Sequence, residues 1–314
     1  MPLDKRSMPD TKALVDAAVE EIATVLLGKE PQLRQAICCL LASGHLLIED
    51  LPGMGKTTLS HALAQVLGLS YQRVQFTSDL LPADILGLSI YHSAEGRFEF
   101  HPGPIFTQVL LADEINRSTP RTQSALLEAM AEGQVTLEGD TRPLPQPFFV
   151  IATQNPLEQS GTYPLPESQL DRFLMRIELG YPDALAEREM LRSTQGAVQK
   201  TVLKQCIDEQ ALEAIRAAVD DVHASDSLLD YVQRIAARSR DGGEFAVGLS
   251  PRGVLALLRS AKTWALMDGR DHVLPDDVQA VLPGVTAHRL QPGGGFSGDG
   301  MALVALLQRD VDVV

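Results

Sequence analysis

The stretch His45-Leu46-Leu47-Ile48-Glu49-Asp50-Leu51-Pro52-Gly53-Met54-Gly55-Lys56-Thr57-Thr58 decides the fold. A short apolar strand, Leu46–Ile48, runs into a Pro-Gly-x-Gly-Lys-Thr loop, and Lys56 to Val66 behind it reads as a helix. Such a loop presents backbone N–H groups and the positive end of the following helix to phosphate oxygens. Lys56 then neutralises the β- and γ-phosphates, and the Thr57 hydroxyl takes a place on Mg²⁺. One position departs from the GxxxxGK(S/T) pattern, because Asp50 stands where the first glycine is expected. Asp reaches left-handed backbone angles more readily than most residues, so the turn remains open to it. A carboxylate near phosphates is repulsive, so the Asp50 side chain is expected to point away. The strand and helix signals on either side argue against an ordinary strand-to-helix turn.

Further along, Val109-Leu110-Leu111-Ala112-Asp113-Glu114 is an apolar strand ending in two acids. Beside a nucleotide, the first carboxylate suits the Mg²⁺ shell and the second suits a general base for an attacking water. Taken alone, the pair reads equally as a solvated acidic turn. Phe148–Ala152 is another buried strand, followed by Thr153-Gln154-Asn155-Pro156. The Asn155 amide offers a donor and an acceptor for a water or the γ-phosphate, although Asn-Pro also starts common turns. Leu170-Asp171-Arg172-Phe173 offers an arginine for transition-state charge. Its bland alternative is a surface salt bridge from Arg172 to Asp171 or Glu167, and Arg176 competes for the role. Ser250-Pro251-Arg252 opens a helix with a Ser cap and Pro in the first turn, and puts Arg252 near a positive helix end. That mild frustration suggests an anion partner rather than plain solvation.

Around these motifs, helices are expected from Thr11 to about Leu27, closed by Gly28, and from about Pro31 to Ala42. Gln72–Thr77 alternates like a strand. Two β-hairpins are expected, one over about 88–101 turning at Ala94-Glu95-Gly96, and one over about 134–144 turning at Glu138-Gly139-Asp140. Strands alternating with helices indicate a parallel sheet covered on both faces. Past Gly180-Tyr181-Pro182-Asp183 helical periodicity dominates: Asp208–Val222, Ser227–Ser239, Pro251–Met267, Asp276–Leu282 and a last helix around Leu303–Gln308. The Gly-rich run Gln291–Gly300 reads as a mobile loop. An α/β nucleotide-binding domain over 1–181 and a helical domain over 182–314 are therefore expected.

A chain of 314 residues with 45% hydrophobic and 22% charged residues is long enough for two domains with real cores. No apolar run reaches ~18 residues, so no membrane span is expected. Met1–Asp10 lacks the apolar core of a signal peptide and reads as a frayed tail. The three cysteines, with Cys38 and Cys39 adjacent in an apolar helical segment, make neither a disulfide framework nor a zinc site and fit a reducing cytoplasm. A formal net charge of −14 argues against a general nucleic-acid binder, which needs clustered Lys and Arg.

With these elements in this order, the chain resembles the AAA+ ATPases, and within them the MoxR family. The resemblance rests on Leu51-Pro52-Gly53-Met54-Gly55-Lys56-Thr57, Pro102-Gly103-Pro104-Ile105-Phe106, Leu111-Ala112-Asp113-Glu114-Ile115-Asn116-Arg117, Thr122–Met130 and Gly161–Glu167 leading into Leu170–Phe173. It covers roughly Gly28 to Leu290. It implies a P-loop core with a parallel five-stranded sheet flanked by helices, plus a C-terminal all-helical lid. ATP would be held by Gly28, Asp50, Pro52, Gly53, Met54, Gly55, Lys56, Thr57 and Thr58, and Mg²⁺ by Thr57 and Asp113. Glu114 matches the catalytic acid of Walker B, Asn155 the first sensor, Arg172 the arginine finger and Arg252 the second sensor. The hairpins look like the helix-two and pre-sensor inserts. The resemblance also implies a homo-oligomeric ring, a hexamer, with Arg172 acting on the neighbour's nucleotide and Arg252 acting within or across subunits. The implied work is chaperone-like remodelling or maturation of a separate protein client, often one with a von Willebrand factor A domain.

Two other function classes compete. A nucleic-acid ring motor would carry basic or aromatic hairpin tips, whereas Glu95-Gly96-Arg97 and Glu138-Gly139-Asp140 are more acidic than basic. A nucleotide-switched adaptor with negligible turnover would not need the full set of acid, sensor and finger.

Overall fold

The computed structural model describes residues 10–93, 96–156, 161–193 and 202–313. Two helices precede the first strand: α1 (Thr11–Ala23), whose first turn is capped by the Asp10 side chain accepting from the Ala13 N–H, and α2 (Glu30–Leu41), with Pro31 in its first turn. The chain then runs through β1 (Leu46–Glu49), α3 (Lys56–Val66), β2 (Tyr71–Gln75), α4 (Pro82–Leu86), and the hairpin β3 (Gly87–His92) and β4 (Arg97–Pro102). There follow β5 (Val109–Asp113), α5 (Pro120–Glu132), the hairpin β6 (Gln134–Leu137) and β7 (Asp140–Pro143), β8 (Phe149–Gln154), α6 (Glu167–Leu170) and β9 (Met175–Ile177).

Five strands form one parallel sheet in the order β2-β5-β8-β1-β9. The two-residue period sorts their side chains into two cores. Leu46, Ile48, Val109, Leu111, Phe149 and Ile151 face a large cluster that includes Leu59 and Leu63 of α3. Leu47, Leu110, Ala112, Val150 and Ala152 face a second cluster that includes Leu126, Leu127 and Met130 of α5. Burial on both faces explains why these strands read as unbroken apolar runs.

The remaining elements are α7 (Ala184–Ser193), α8 (Glu209–Asp221), α9 (Asp226–Ser239), β10 (Phe245–Val247), α10 (Pro251–Met267), α11 (Pro275–Thr286), β11 (Gln291–Pro292) and α12 (Gly300–Asp310). Asp208, Ser225, Ser250 and Asp299 each cap a helix by accepting from a first-turn N–H. The expected boundary at 181/182 falls in the irregular segment between β9 and α7. Across it the apolar cluster is continuous: Cys38 of α2 and Leu257 and Ala261 of α10 belong to the same core, and Arg34 bridges Asp16 and Asp268.

Several elements differ from the sequence reading. β9 was not foreseen as a strand, because three residues with Arg176 at the centre show no apolar run. The helices α5 and α7 and the β10–β11 pair were also not read. α1 stops at Ala23, where the Thr24 hydroxyl donates back to the Glu21 carbonyl. The second hairpin turns on two residues, Glu138 (φ 55°) and Gly139 (φ 90°), so Asp140 belongs to β7. Ala94 and Glu95 of the first expected turn lie outside the described residues. The Gly-rich run begins as strand, with Gly293 N–H donating to the Glu244 carbonyl.

Candidate functional site

The loop between β1 and α3 turns on two left-handed glycines, Gly53 (φ 83°) and Gly55 (φ 91°). Asp50 is not among the residues with positive φ, so the left-handed turn left open to it is not used: the glycines, which adopt it without strain, supply it. A Cβ on Gly53 would meet nothing within 4 Å, which leaves the mouth of the loop clear, whereas one on Gly55 would strike Leu26 Cδ1 at 2.6 Å. Asp50 is buried and its carboxylate turns toward the chain beyond β9. Oδ1 accepts from the Leu51 N–H at 2.7 Å and Oδ2 from the Gly180 N–H at 2.6 Å. Lys56 Nζ donates to the Asp50 carbonyl at 2.5 Å and lies 3.5 Å from that of Gln154. Pro52, Gly53, Thr57 and Thr58 are exposed, and Met54 is half-buried. Gly28 (φ 68°) lies against α7, where a Cβ would meet that of Ala186 at 2.9 Å, and Lys29 Nζ donates to the Tyr181 carbonyl at 2.6 Å.

The carboxyl ends of β5 and β8 lie beside this loop, because β8 is the strand between β5 and β1. Asp113 and Thr153 emerge on the α3 face of the sheet. The Thr153 hydroxyl donates to Asp113 Oδ1 at 2.6 Å and accepts from the Glu114 N–H at 2.8 Å. Asp113 Oδ2 accepts from Arg73 of β2 at 2.6 Å. Glu114 sits in the left-handed region (φ 57°, ψ 49°), and its Oε2 accepts from Gln75 Nε2 and Arg117 Nη1, both at 2.8 Å. Asn155 is buried immediately past β8. The sequence reading missed Arg73, Gln75 and Thr153. The alternation of β2 places Arg73 and Gln75 on one face, but their partners depend on a register that pairs Gln75 with Asp113.

The two sequence-predicted arginines lie elsewhere. Arg172 precedes β9, and its Nη1 donates to the Leu127 carbonyl at 2.8 Å. It pairs with neither Asp171 nor Glu167. Asp171 instead accepts from Arg289 Nε at 2.7 Å and from the Ser250 hydroxyl at 3.3 Å. Arg289 is buried, its pKa is pulled down by desolvation, and it also donates to the carbonyls of Phe173 and Leu174. Arg176, the competing candidate, is paired with Glu49 at 2.6 Å and with Glu178 at 3.3 Å. Arg252 is exposed in the first turn of α10 and forms no hydrogen bond or ion pair among the described residues.

Both arginines therefore sit at the amino end of β9. Leu174 N–H donates to the carbonyl of His45, which precedes β1, so this is also the amino end of β1. The glycine loop is at the other end, a separation on the order of 13 Å along the four residues of β1. His45 itself is buried, with burial lowering its pKa to about 4. Its Nδ1 accepts from the Val150 N–H while Nε2 faces the Met130 carbonyl, so it is a neutral structural group.

The strand order, the glycine loop between β1 and α3, the acids ending β5 and the amide following β8 define a P-loop domain of the AAA+ class. Residues 45–175 match the ATPase family associated with various cellular activities (AAA), and residues 237–305 match the AAA lid domain. The chain is 39% identical to the chaperone MoxR1 of Mycobacterium tuberculosis, over 88% of this chain and 75% of that protein. It is 34% identical to the protein MoxR of Paracoccus denitrificans, over 90% of each. It is also similar to the crystal structure of a protein described as an ATPase from Cytophaga hutchinsonii, with a TM-score of 0.87 and 34% identity over 96% of this chain and 95% of that one. The chain belongs to the MoxR family of AAA+ ATPases.

Proposed function

We propose that this chain binds Mg-ATP at the β1–α3 loop, hydrolyses it, and uses the cycle to remodel or mature a protein partner. The observation that carries this reading is the convergence of Lys56, Asp113, Glu114 and Asn155 at the carboxyl ends of three adjacent parallel strands. The residues fit the nucleotide. Gly53 leaves the loop mouth open, and the amides that begin α3 face phosphate as anion donors. Lys56 provides the charge for the β- and γ-phosphates, with Gly28, Asp50, Pro52, Met54, Gly55 and Thr58 shaping the surround. Thr57 and Asp113 are the oxygen donors for Mg²⁺, which when bound neutralises phosphate charge. Thr153 fixes Asp113 and the Glu114 backbone together. Glu114 acts as base toward the attacking water once Gln75 and Arg117 release it, and Asn155 orients that water.

Arg172 and Arg252 lie at the wrong end of β1 to reach this site within one chain. We place them at the nucleotide of a neighbouring copy, in a homo-oligomeric ring of six, and assign Arg252 as well as Arg172 to action across subunits. The partner is a separate protein, a von Willebrand factor A domain being the class suggested by the family. Buried, unpaired Cys38 and Cys39 suit a reducing cytoplasm, and no helix among the described residues is long and apolar enough to cross a membrane. The test is Glu114→Gln. It should retain ATP binding and lose turnover by ~10²–10⁴, the range of a general base. Phosphate release at the unmodified rate would overturn the assignment.

A further inference from the structure

The β3–β4 hairpin takes no part in the chemistry above, yet its two faces are built differently. The ladder pairs His92 with Arg97, Ile90 with Glu99, and Leu88 with His101, so these six side chains share one face. Tyr91, Phe98 and Phe100 occupy the other. That second face anchors the hairpin: Phe100 packs edge-on against Phe106 with centroids 5.7 Å apart, and the Arg142 guanidinium of β7 lies 4.0 Å above the Phe100 ring. At its base the backbone is tight, since a Cβ on Gly103 would meet the Ile85 carbonyl at 2.2 Å. The first face is thus presented on a braced ribbon.

On that face His92, Glu99 and His101 bring one ligand atom each within 4.8 Å of one another. The two imidazoles are stacked, with centroids 6.4 Å apart and planes 27° from parallel. His92 Nε2 lies 3.2 Å from Glu99 Oε2. Despite that distance the pair does not make a hydrogen bond, and His92 Nε2 is buried without one. Two imidazoles and a carboxylate with ligand atoms this close, one of them buried without a hydrogen bond, are the donor set a shared cation requires. A simple His–Glu ion pair would leave His101 without a reason to join them.

We propose that His92, Glu99 and His101 form a binding site for a divalent transition cation, Zn²⁺ above all, distinct from the Mg²⁺ of the nucleotide and independent of that reading. Two imidazoles and one carboxylate select Zn²⁺ over Mg²⁺, which prefers all-oxygen shells. In a tetrahedral Zn²⁺ site ligand atoms sit about 3.4 Å apart, so the cluster closes by about an ångström of side-chain rotation with the ladder unchanged. Water completes the fourth position. Arg97, opposite His92, is a positive neighbour that lowers affinity, which places the site among exchangeable rather than permanent structural metals.

The test is Zn²⁺ titration of chelator-stripped protein in excess Mg²⁺, read by competition with a chromophoric chelator, with Co²⁺ absorption as a second readout. The expected result is one Zn²⁺ per chain. Affinity should fall more than about tenfold in His92→Ala, His101→Ala and Glu99→Gln, as for loss of a ligand. His101→Cys should retain binding, since a thiolate replaces the imidazole, and Lys56→Ala should leave it unchanged. A His92→Ala/His101→Ala double variant that binds Zn²⁺ as the natural protein does would overturn the proposal. So would a natural protein that takes up no Zn²⁺ at micromolar concentration.

Discussion

At the carboxyl ends of β5 and β8, the polar groups already hold one another: Thr153 joins Asp113 to the Glu114 backbone, Arg73 takes the other Asp113 oxygen, and Gln75 and Arg117 hold the Glu114 carboxylate. At the amino ends of β1 and β9 the pattern inverts. There Arg289 is locked into the Asp171 carboxylate and four backbone carbonyls, while the Arg172 side chain makes a single hydrogen bond and that of Arg252 none among the described residues. One end is a cluster whose side chains are already tied together, from which the proposed chemistry must release Glu114. The other is a rigid mount which, on the proposed reading, holds two cations for a neighbouring copy. Catalytic acids gain from pre-organisation, because reorganising them during reaction costs rate. Arginines that act across an interface gain from a fixed base and a free tip.

The sharpest way to break this contrast is Arg172→Ala. It should leave ATP binding intact and lower turnover by ~10³–10⁵, as for other arginine fingers. Mixing it with Lys56→Ala should restore part of the activity in mixed rings, measured as phosphate release, and no recovery in verified mixed rings would place the finger in its own site. Asp171→Ala tests the mount. It leaves Arg289 buried without its carboxylate and should cost about 3–5 kcal/mol in urea unfolding. An unchanged midpoint would mean that the pair does not brace this end. Thr153→Val tests the cluster. Its hydroxyl serves an acceptor and a donor, so its loss should cost about 1–3 kcal/mol and weaken Mg²⁺-dependent nucleotide binding. If the variant binds Mg-ATP as tightly as the natural chain, Asp113 and Glu114 do not need Thr153 to stay in place.

The same contrast governs how much could be read in advance. The glycine loop, the strand-end acids and helices such as Lys56–Val66 and Pro251–Met267 were legible because local spacing specifies them. β9 was not, since a three-residue strand gains its identity only by pairing with Leu46–Ile48. Arg73 and Gln75 were invisible because their roles come from register across the sheet. At Asp50 the sequence left the backbone open and indicated the side chain: it avoids the left-handed region, and its carboxylate turns aside to Gly180. The placement of Arg172 and Arg252 at one end required knowing that Ser250 meets Asp171, a contact between residues 79 positions apart.

Asp50 also acts as a mechanical link. Its two oxygens clamp the start of the loop to Gly180, the first residues of the segment that leads to α7. Lys29, beside Gly28, grips the same segment through the Tyr181 carbonyl. Loop and segment are thus fastened at two points, through a buried carboxylate and a backbone carbonyl. The residue that breaks the glycine pattern ties the glycine loop directly to the stretch of chain that leads into the helical half.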